Sequence, residues 1–135
     1  MLTKKLDALK IKKSKIEGKG VFANRNFKKG ETVVKWDTSI VLNEEETKKL
    51  SKNEQRYIFP FRNKFLLQQS PARYVNHSCN PNTKVVNNSS DVAILDIKKG
   101  DEITSDYSLF FTPDEVMKCN CGSKNCKKIL KYIKK

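Results

Sequence analysis

The chain has 135 residues, 37% hydrophobic and 32% charged, a composition typical of one globular domain. No run approaches the roughly 18 apolar residues that a membrane span needs, and the lysine-rich start lacks the apolar stretch of a signal peptide. We therefore expect an intracellular protein with no membrane segment.

The net charge of +13 comes almost wholly from lysine, with 24 Lys to 4 Arg. Because these lysines are spread along the chain, they predict non-specific nucleic-acid contact without sequence reading.

The first half of the sequence predicts short strands separated by glycine turns. Gly18 precedes a strand at Lys19–Ala23, and a Lys-Lys-Gly turn at residues 26–31 precedes another at residues 32–36. A second Lys-Lys-Gly turn at residues 96–102 leads into Ile103 and Thr104. Two copies of one phrase predict pseudo-symmetric hairpin units and are too few for a repeat protein.

One helix is expected after a strand at Ser39–Leu42. Asn43 followed by Glu46 forms a capping box, and the acidic residues between them suit the positive end of a helix. The helix is expected to continue to about Asn53.

The second half predicts more strands and one further helix. Strands are expected at Lys64–Gln68, Thr83–Val86 and Val92–Ile97, the last two joined through the Asn-Asn-Ser-Ser turn at residues 87–90. Thr112 with Pro113 begins a short capped helix. The sequence thus predicts a β-rich single domain, mainly strands with short helices.

The four cysteines form a group of one and a group of three. Cys79 is alone in mid-chain, whereas Cys119, Cys121 and Cys126 follow one another, with Gly122 able to turn the chain between them. Four thiolates suit one tetrahedral structural zinc ion. Two disulfides, with three connectivities, or free thiols are the alternatives, and His77 is a competing ligand.

Several segments together resemble the SET-domain family of protein lysine methyltransferases. The central segment Arg73–Asn82 (RYVNHSCNPN) resembles the family signature, residues 102–107 (EITSDY) the second signature, and residues 18–23 (GKGVFA) the glycine motif. The three C-terminal cysteines are similar to the post-SET zinc segment, whose fourth ligand is the cysteine of the central motif. The resemblance implies small curved sheets, a knot-like C-terminal crossing, a SET domain at residues 10–111, and a zinc-bound post-SET flap with a basic tail at residues 112–135.

The resemblance also implies a site for S-adenosylmethionine. Gly18 and Gly20 would let the backbone approach the cofactor, Asn76 would bind its amino end through the side-chain oxygen, and His77 would contact the adenine through its backbone. The implied cofactor-binding residues are Gly18, Lys19, Gly20, Tyr74, Asn76, His77 and Tyr107. Taken without the motif, the Gly-x-Gly pair is an ordinary turn, and Asn76 and His77 are buried polar groups of a tight turn.

Two tyrosines and one serine carry the implied chemistry. Tyr107 is the expected catalytic tyrosine, and Tyr57 resembles the tyrosine that flanks the lysine channel; alone, each would be read as a core aromatic. Ser105 stands where many members carry Phe or Tyr, so it predicts room for more than one methyl group. Phe110 or Phe111 would remove that room if either filled the gap.

The expected function is S-adenosylmethionine-dependent N-methylation of a lysine in a histone or another protein. The alternative is a SET-like interaction module that holds chromatin or an acidic partner. A charge of +13 opposes binding of a free basic histone tail, so a nucleosomal or non-histone substrate is equally expected. We expect a monomer with one structural zinc ion, in the cytoplasm, the nucleus or on host chromatin.

Overall fold

The computed structural model describes residues 8–110 and 116–131. These residues form twelve short strands, two one-turn helices and two 3₁₀ turns. The strands are β1 (Leu9–Lys13), β2 (Lys19–Ala23), β3 (Thr32–Lys35), β4 (Val41–Leu42), β5 (Ile58–Phe61), β6 (Lys64–Leu67), β7 (Asn76–His77), β8 (Thr83–Val86), β9 (Ser90–Ala93), β10 (Glu102–Ser105), β11 (Val116–Lys118) and β12 (Ile129–Lys131). The helices are α1 (Glu44–Lys48) and α2 (Lys52–Gln55), and the 3₁₀ turns are Ala72–Tyr74 and Tyr107–Phe110. The predicted β-rich fold is confirmed.

The strands form four small sheets, in the orders β1-β2-β10-β7, β3-β9-β8, β4-β6-β5 and β11-β12. All pairs are antiparallel except β7 and β10, which run parallel with Asn76 beside Thr104 and His77 beside Ser105. That pair brings the central motif against the second motif, although more than twenty residues separate the two strands in sequence. The knot-like crossing of these segments stays a prediction.

The two Lys-Lys-Gly turns pack against each other as a pseudo-symmetric pair. Phe27 and Ile97 exchange two backbone hydrogen bonds of 2.8 Å. Gly30 and Gly100 adopt φ angles of 93° and 99°, which side-chain-bearing residues rarely adopt. Because Phe27 and Ile97 are almost fully buried, the two turns also close the core.

The predicted helix after Asn43 is wrong in length. The capping box is present, with Asn43 and Glu46 exchanging side-chain to backbone bonds of 2.8 and 3.0 Å. The helix ends at Lys48, however, and a second one begins when the Ser51 hydroxyl accepts the Glu54 N–H at 3.2 Å. Neither helix buries a residue, so no apolar face holds one continuous helix together.

The predicted hairpin around residues 87–90 is confirmed, but its second strand is displaced. Asn87 and Asn88 have φ angles of 53° and 50°, as a tight hairpin turn requires. The strand therefore starts at Ser90 and ends at Ala93, earlier than expected, because Ile97 pairs with Phe27 instead. The helix expected from Thr112 lies outside the described residues.

One hydrophobic core joins the sheets. Val21, Val34, Leu66 and Ile103 are fully buried in it, drawn from four different strands. No helix among the residues described is long and apolar enough to cross a membrane.

Candidate active site and metal centre

Two cavities meet at Tyr107. The first has a volume of about 670 Å³ and the second about 240 Å³. Tyr107, Tyr57 and Arg73 line both, together with Arg56 and Met117. The two expected catalytic tyrosines therefore stand between two spaces of unequal size.

The first cavity gathers most of the sequence-predicted cofactor residues. Its other lining residues are Ile16, Glu17, Gly18, Lys19, Asn53, Tyr74, Asn76, His77, Lys118, Cys119 and Asn120. Gly18 has a φ of 40° and open space where a Cβ would lie, so the backbone is bare on this side. Lys19 places its ammonium 5.6 Å from the centre of the Tyr74 ring.

Gly20 has a different place from the one the resemblance suggests. It is buried outside the cavity lining, where a Cβ would overlap the Glu102 carboxylate and lie 3.0 Å from Cβ of Ser14. Its missing side chain therefore makes room for Glu102, which supports the cavity wall from behind.

Asn76 is fixed in orientation by this same carboxylate. Its Nδ2 donates to Glu102 Oε2 at 2.9 Å and to the backbone oxygens of Glu17 and Lys19 at 3.1 and 3.0 Å. The Ser14 hydroxyl donates to the carboxylate as well, at 2.8 Å to Oε1. Because all donors of Nδ2 are used inward, Oδ1 is left as the acceptor, and it has no partner within the described part of the chain.

The side chain of His77 is buried between Tyr107 and Cys79. Nδ1 accepts the backbone N–H of Tyr107 at 2.9 Å, and Nε2 lies 3.5 Å from Sγ of Cys79. Burial lowers the pKa of His77, although Asp106 at 3.6 Å opposes this. The ring is therefore neutral, with its proton on Nε2 facing the thiol.

The aromatic wall between the cavities is held by an ion pair. Arg73 forms two hydrogen bonds with the Glu54 carboxylate, at 2.8 and 3.1 Å, and lies 4.4 Å from the centre of the Tyr57 ring. The rings of Tyr57 and Tyr74 meet edge to face, with centroids 6.0 Å apart. Burial raises the pKa of Tyr107, and the charge of Asp91 adds to this, so its hydroxyl stays protonated at neutral pH.

The four cysteines come together in the structure. Their Sγ atoms all lie within 4.8 Å of one another, and those of Cys79 and Cys119 are 3.8 Å apart. Tetrahedral zinc with bonds of 2.3 Å has sulfur–sulfur edges of about 3.8 Å, so the cluster has the size of a ZnS₄ site. None of the four is in a disulfide, and His77 lies outside the ligand set. Gly122, at a φ of 74°, makes the predicted turn between the cysteines.

Hydrogen bonds hold the two cysteine segments to each other. Asn125 Nδ2 donates to the carbonyl of Cys79 at 3.0 Å, and the Lys127 N–H donates to its Sγ at 3.3 Å. Burial raises the pKa of the Cys119 thiol, and a bound cation would favour its ionised form. Cys119 and Asn120 line the first cavity, and the cluster is thus part of its wall.

The second cavity is lined mostly by residues outside the motifs. Its further lining residues are Trp36, Ile58, Phe59, Pro60, Gln68, Ala72, Val75, Val85, Asp91 and Ser105. Ser105 is buried there, and its backbone oxygen accepts the Ser78 N–H at 3.0 Å. Asp91, 2% exposed, accepts the Trp36 indole N–H at 2.8 Å.

Sequence reasoning missed Glu102 and Asp91. Glu102 stood in the second motif without a role, although its partner Asn76 was singled out. Asp91 lies between the Asn-Asn-Ser-Ser turn and the strand expected from Val92, and it received no assignment. The available signal was the alternation of side chains along a strand. In a strand that starts at Ser90, Asp91 and Ala93 lie on the same, inward face.

Comparison with known proteins agrees with this geometry. A family model described as "SET domain" matches residues 18–108. Histone-lysine N-methyltransferase 2D of Homo sapiens is 33% identical over 134 residues, covering 87% of this chain and 2% of that protein. Histone-lysine N-methyltransferase trr of Drosophila melanogaster is 34% identical over 135 residues, covering 87% and 6%. This chain therefore spans only a small part of the length of the curated relatives it matches.

A solved structure shares the fold. A crystal structure of a proposed histone methyltransferase of Plasmodium falciparum aligns with a TM-score of 0.62 at 28% identity, covering 76% of this chain and 94% of that one. The match confirms the fold that the sequence motifs implied. The chain belongs to the SET-domain family.

Proposed function

We propose that this protein is an S-adenosylmethionine-dependent protein-lysine N-methyltransferase. The observation that carries the proposal is the position of Tyr107 at the boundary of two cavities. One cavity would receive the cofactor and the other the lysine side chain, so the methyl donor and acceptor meet at one hydroxyl. The relatives named above are histone-lysine N-methyltransferases, which supports the same reaction here.

The first cavity fits the cofactor chemically. The free Oδ1 of Asn76 is an acceptor for an amino group, and the bare backbone at Gly18 allows a close approach. Lys19, Tyr74 and the backbone of His77 complete the proposed contacts. When bound there, S-adenosylmethionine would supply the methyl group as part of a sulfonium cation.

The protein must favour the neutral form of the lysine amine. With a reference pKa near 10.4, neutralising lysine at pH 7 costs about 4.6 kcal/mol, and a dry cavity beside a cation lowers this cost. Tyr107 would orient the amine through its protonated hydroxyl, and Tyr57 would flank the chain of methylenes. The main gain in rate would come from alignment of the reacting groups.

We propose that a zinc ion bound by the four cysteines stabilises the wall of the first cavity. Cys79 belongs to the central motif, whereas Cys119, Cys121 and Cys126 belong to the C-terminal segment, so one ion would join the two. The division into a SET domain at residues 10–111 and a post-SET segment at residues 112–135 follows from this arrangement as a proposal.

The substrate is proposed to be a lysine of a histone or another protein, met in the nucleus or elsewhere inside the cell. The basic surface would make non-specific contact with nucleic acid, so a histone bound to DNA suits the charge better than a free tail. We propose that the protein acts as a monomer because each proposed site is formed within one chain.

Transfer of radiolabelled methyl groups to core histones tests the function. Tyr107→Phe should reduce the rate at least about 100-fold while S-adenosylmethionine binding stays within twofold. Asp37→Asn is the control, because Asp37 is exposed and lines neither cavity, and it should keep the activity. Cofactor binding by the wild-type protein without transfer to any protein would overturn the proposal and favour the interaction module.

A further inference from the structure

The second cavity contains a buried carboxylate with an unused oxygen. Asp91 is 2% exposed, and its Oδ2 accepts the Trp36 indole N–H. Its Oδ1 accepts no hydrogen bond within the described residues, although the side chain lines the cavity. A buried carboxylate with one hydrogen bond is costly, because ionised groups in protein interiors need full pairing. Burial accordingly raises the pKa of Asp91 to about 6.

Gln68 also lines this cavity and carries an unpaired acceptor, which protein atoms enclose. Oε1 of Gln68 is buried without a hydrogen-bond partner within the described part of the chain, and Gln68 lines the second cavity. Asp91 Oδ1 is thus the unpaired acceptor that a group in this cavity of about 240 Å³ can reach.

The remaining walls favour a cation. The rings of Trp36, Tyr57, Phe59 and Tyr107 line the cavity, and aromatic faces attract ammonium groups. Of the two arginines in the lining, Arg73 is paired with Glu54, and Arg56 is exposed. Neither arginine has a contact with the carboxylate of Asp91 in the described structure.

We propose that Asp91 is the amine-binding residue of the second cavity, with Oδ1 accepting a hydrogen bond from the substrate lysine ammonium. This inference rests on the proposed function, which sends the lysine into that cavity. It adds an anionic anchor to a channel otherwise made of rings, and this anchor acts on the ammonium as it binds, before the amine loses its proton for transfer. Monomethyl- and dimethyl-lysine retain an N–H for the same anchor, whereas trimethyl-lysine has none, so binding should weaken at the fully methylated product.

The single tryptophan gives a direct test in the zinc-loaded protein. Because the only indole N–H donates to Asp91, its ¹H–¹⁵N NMR signal reports on that carboxylate. N-acetyl-lysine methylamide should shift this signal at concentrations at least about tenfold lower than N-acetyl-norleucine methylamide, its uncharged analogue. No shift with the lysine compound, or equal shifts with both, would overturn the inference.

Two variants locate the effect. Asp91→Asn keeps an oxygen for the indole but loses the charge, and it should abolish the preference for the lysine compound. Asp37→Asn is the matched control, because Asp37 is exposed, adjoins Trp36 in sequence and lies outside the cavity lining. A preference for the lysine compound that survived in Asp91→Asn would overturn the inference. Thermal unfolding checks that both variants are folded, and the titration of the wild-type protein depends on neither.

Steady-state transfer to core histones separates the inference from the function. Asp91→Asn should raise KM for histones about tenfold while the Kd for S-adenosylmethionine is unchanged. If the wild type transfers methyl groups and Asp91→Asn has an unaltered KM, the role of Asp91 is wrong and the function stands. If the wild type transfers none, the function is wrong, and the indole titration alone decides whether the cavity binds amines.

Discussion

The first and second cavities are built in different ways. The first is made of turns and motif residues, with backbone groups exposed at Gly18 and one wall supplied by the cysteine cluster. The second is made largely of side chains from β5, from β9 and from the residue after β3, including Phe59, Asp91 and Trp36. The difference suits the proposed roles, because motif residues and bare backbone form the cavity proposed for the cofactor, whereas strand side chains form the cavity proposed for the lysine.

Metal removal should have the largest effect, and it should affect the first cavity but not the second. We expect that chelating the zinc abolishes methyl transfer and S-adenosylmethionine binding before it unfolds the domain. The reason is that Cys119 and Asn120 lie in the wall of the first cavity, whereas the strands around the second are held by the core. Zinc content, cofactor binding and far-ultraviolet circular dichroism measured together would check this.

The single indole signal serves as the control for that experiment, because Trp36 belongs to the second cavity. The chemical shift of this indole signal should not change when the metal is removed. Unchanged transfer activity in protein verified to be metal-free would contradict the proposed role of the cluster, and so would simultaneous loss of the indole signal and the cofactor site.

The size of the second cavity at Ser105 should decide the product. We expect the wild type to add more than one methyl group and Ser105→Phe to stop at one, because the ring would fill the space beside Tyr107. Ser105→Ala is the matched control, since it keeps the space and should keep the product pattern. Mass spectrometry of the products is the measurement. A wild type that yields only monomethyl-lysine at full turnover would show the prediction to be wrong.

The buried carboxylate of the second cavity should cost stability in a known pH window. Unfolded Asp91 ionises near its usual pKa of 3.8, but the folded protein keeps the proton until about pH 6. Between these values the folded state holds the additional proton, so the free energy of unfolding falls as pH rises, by up to about 3 kcal/mol. Asp91→Asn does not lose this free energy of unfolding. Its stability relative to the wild type should therefore increase from pH 4 to pH 6 and stay constant above pH 6.

Urea unfolding of both proteins at several pH values would measure the difference. Because the cysteine thiols are the same in the two proteins, they do not contribute to the difference in free energy of unfolding. A stability difference that stayed constant from pH 4 to 7 would mean that Asp91 is not desolvated in the folded protein. Asp37→Asn should show no such window, because Asp37 is exposed.

The sequence predicts the first cavity better than the second. Spacing alone indicated the metal cluster and the turn at Gly122, and the motif resemblance placed Asn76, His77 and Tyr107 together although Tyr107 is distant in sequence from the other two. The break after Lys48 was not predictable, because the capping signal of Asn43 marks only where a helix begins. Asp91 was missed because its neighbours in the cavity come from strands far away in sequence, and only the pairing of β3 with β9 brings Trp36 to it.

His77 is the residue through which the metal cluster reaches Tyr107. Its Nδ1 holds the Tyr107 N–H and its Nε2 faces the Cys79 thiol, so the ring transmits the position of one to the other. His77→Asn removes the contact with the sulfur, and we expect zinc affinity to fall about tenfold, as when an outer-shell partner of a ligand is lost. Competition with a chelator measures this without reference to activity.

The tautomer of His77 provides the independent check. As it is the only histidine in the chain, its two ring nitrogens can be assigned in a long-range ¹H–¹⁵N spectrum without ambiguity. The structure requires the proton on Nε2, because Nδ1 already accepts a hydrogen bond. A proton on Nδ1, or zinc affinity unchanged in His77→Asn, would mean that the cluster acts on the first cavity only through the chain from Met117 to Asn120.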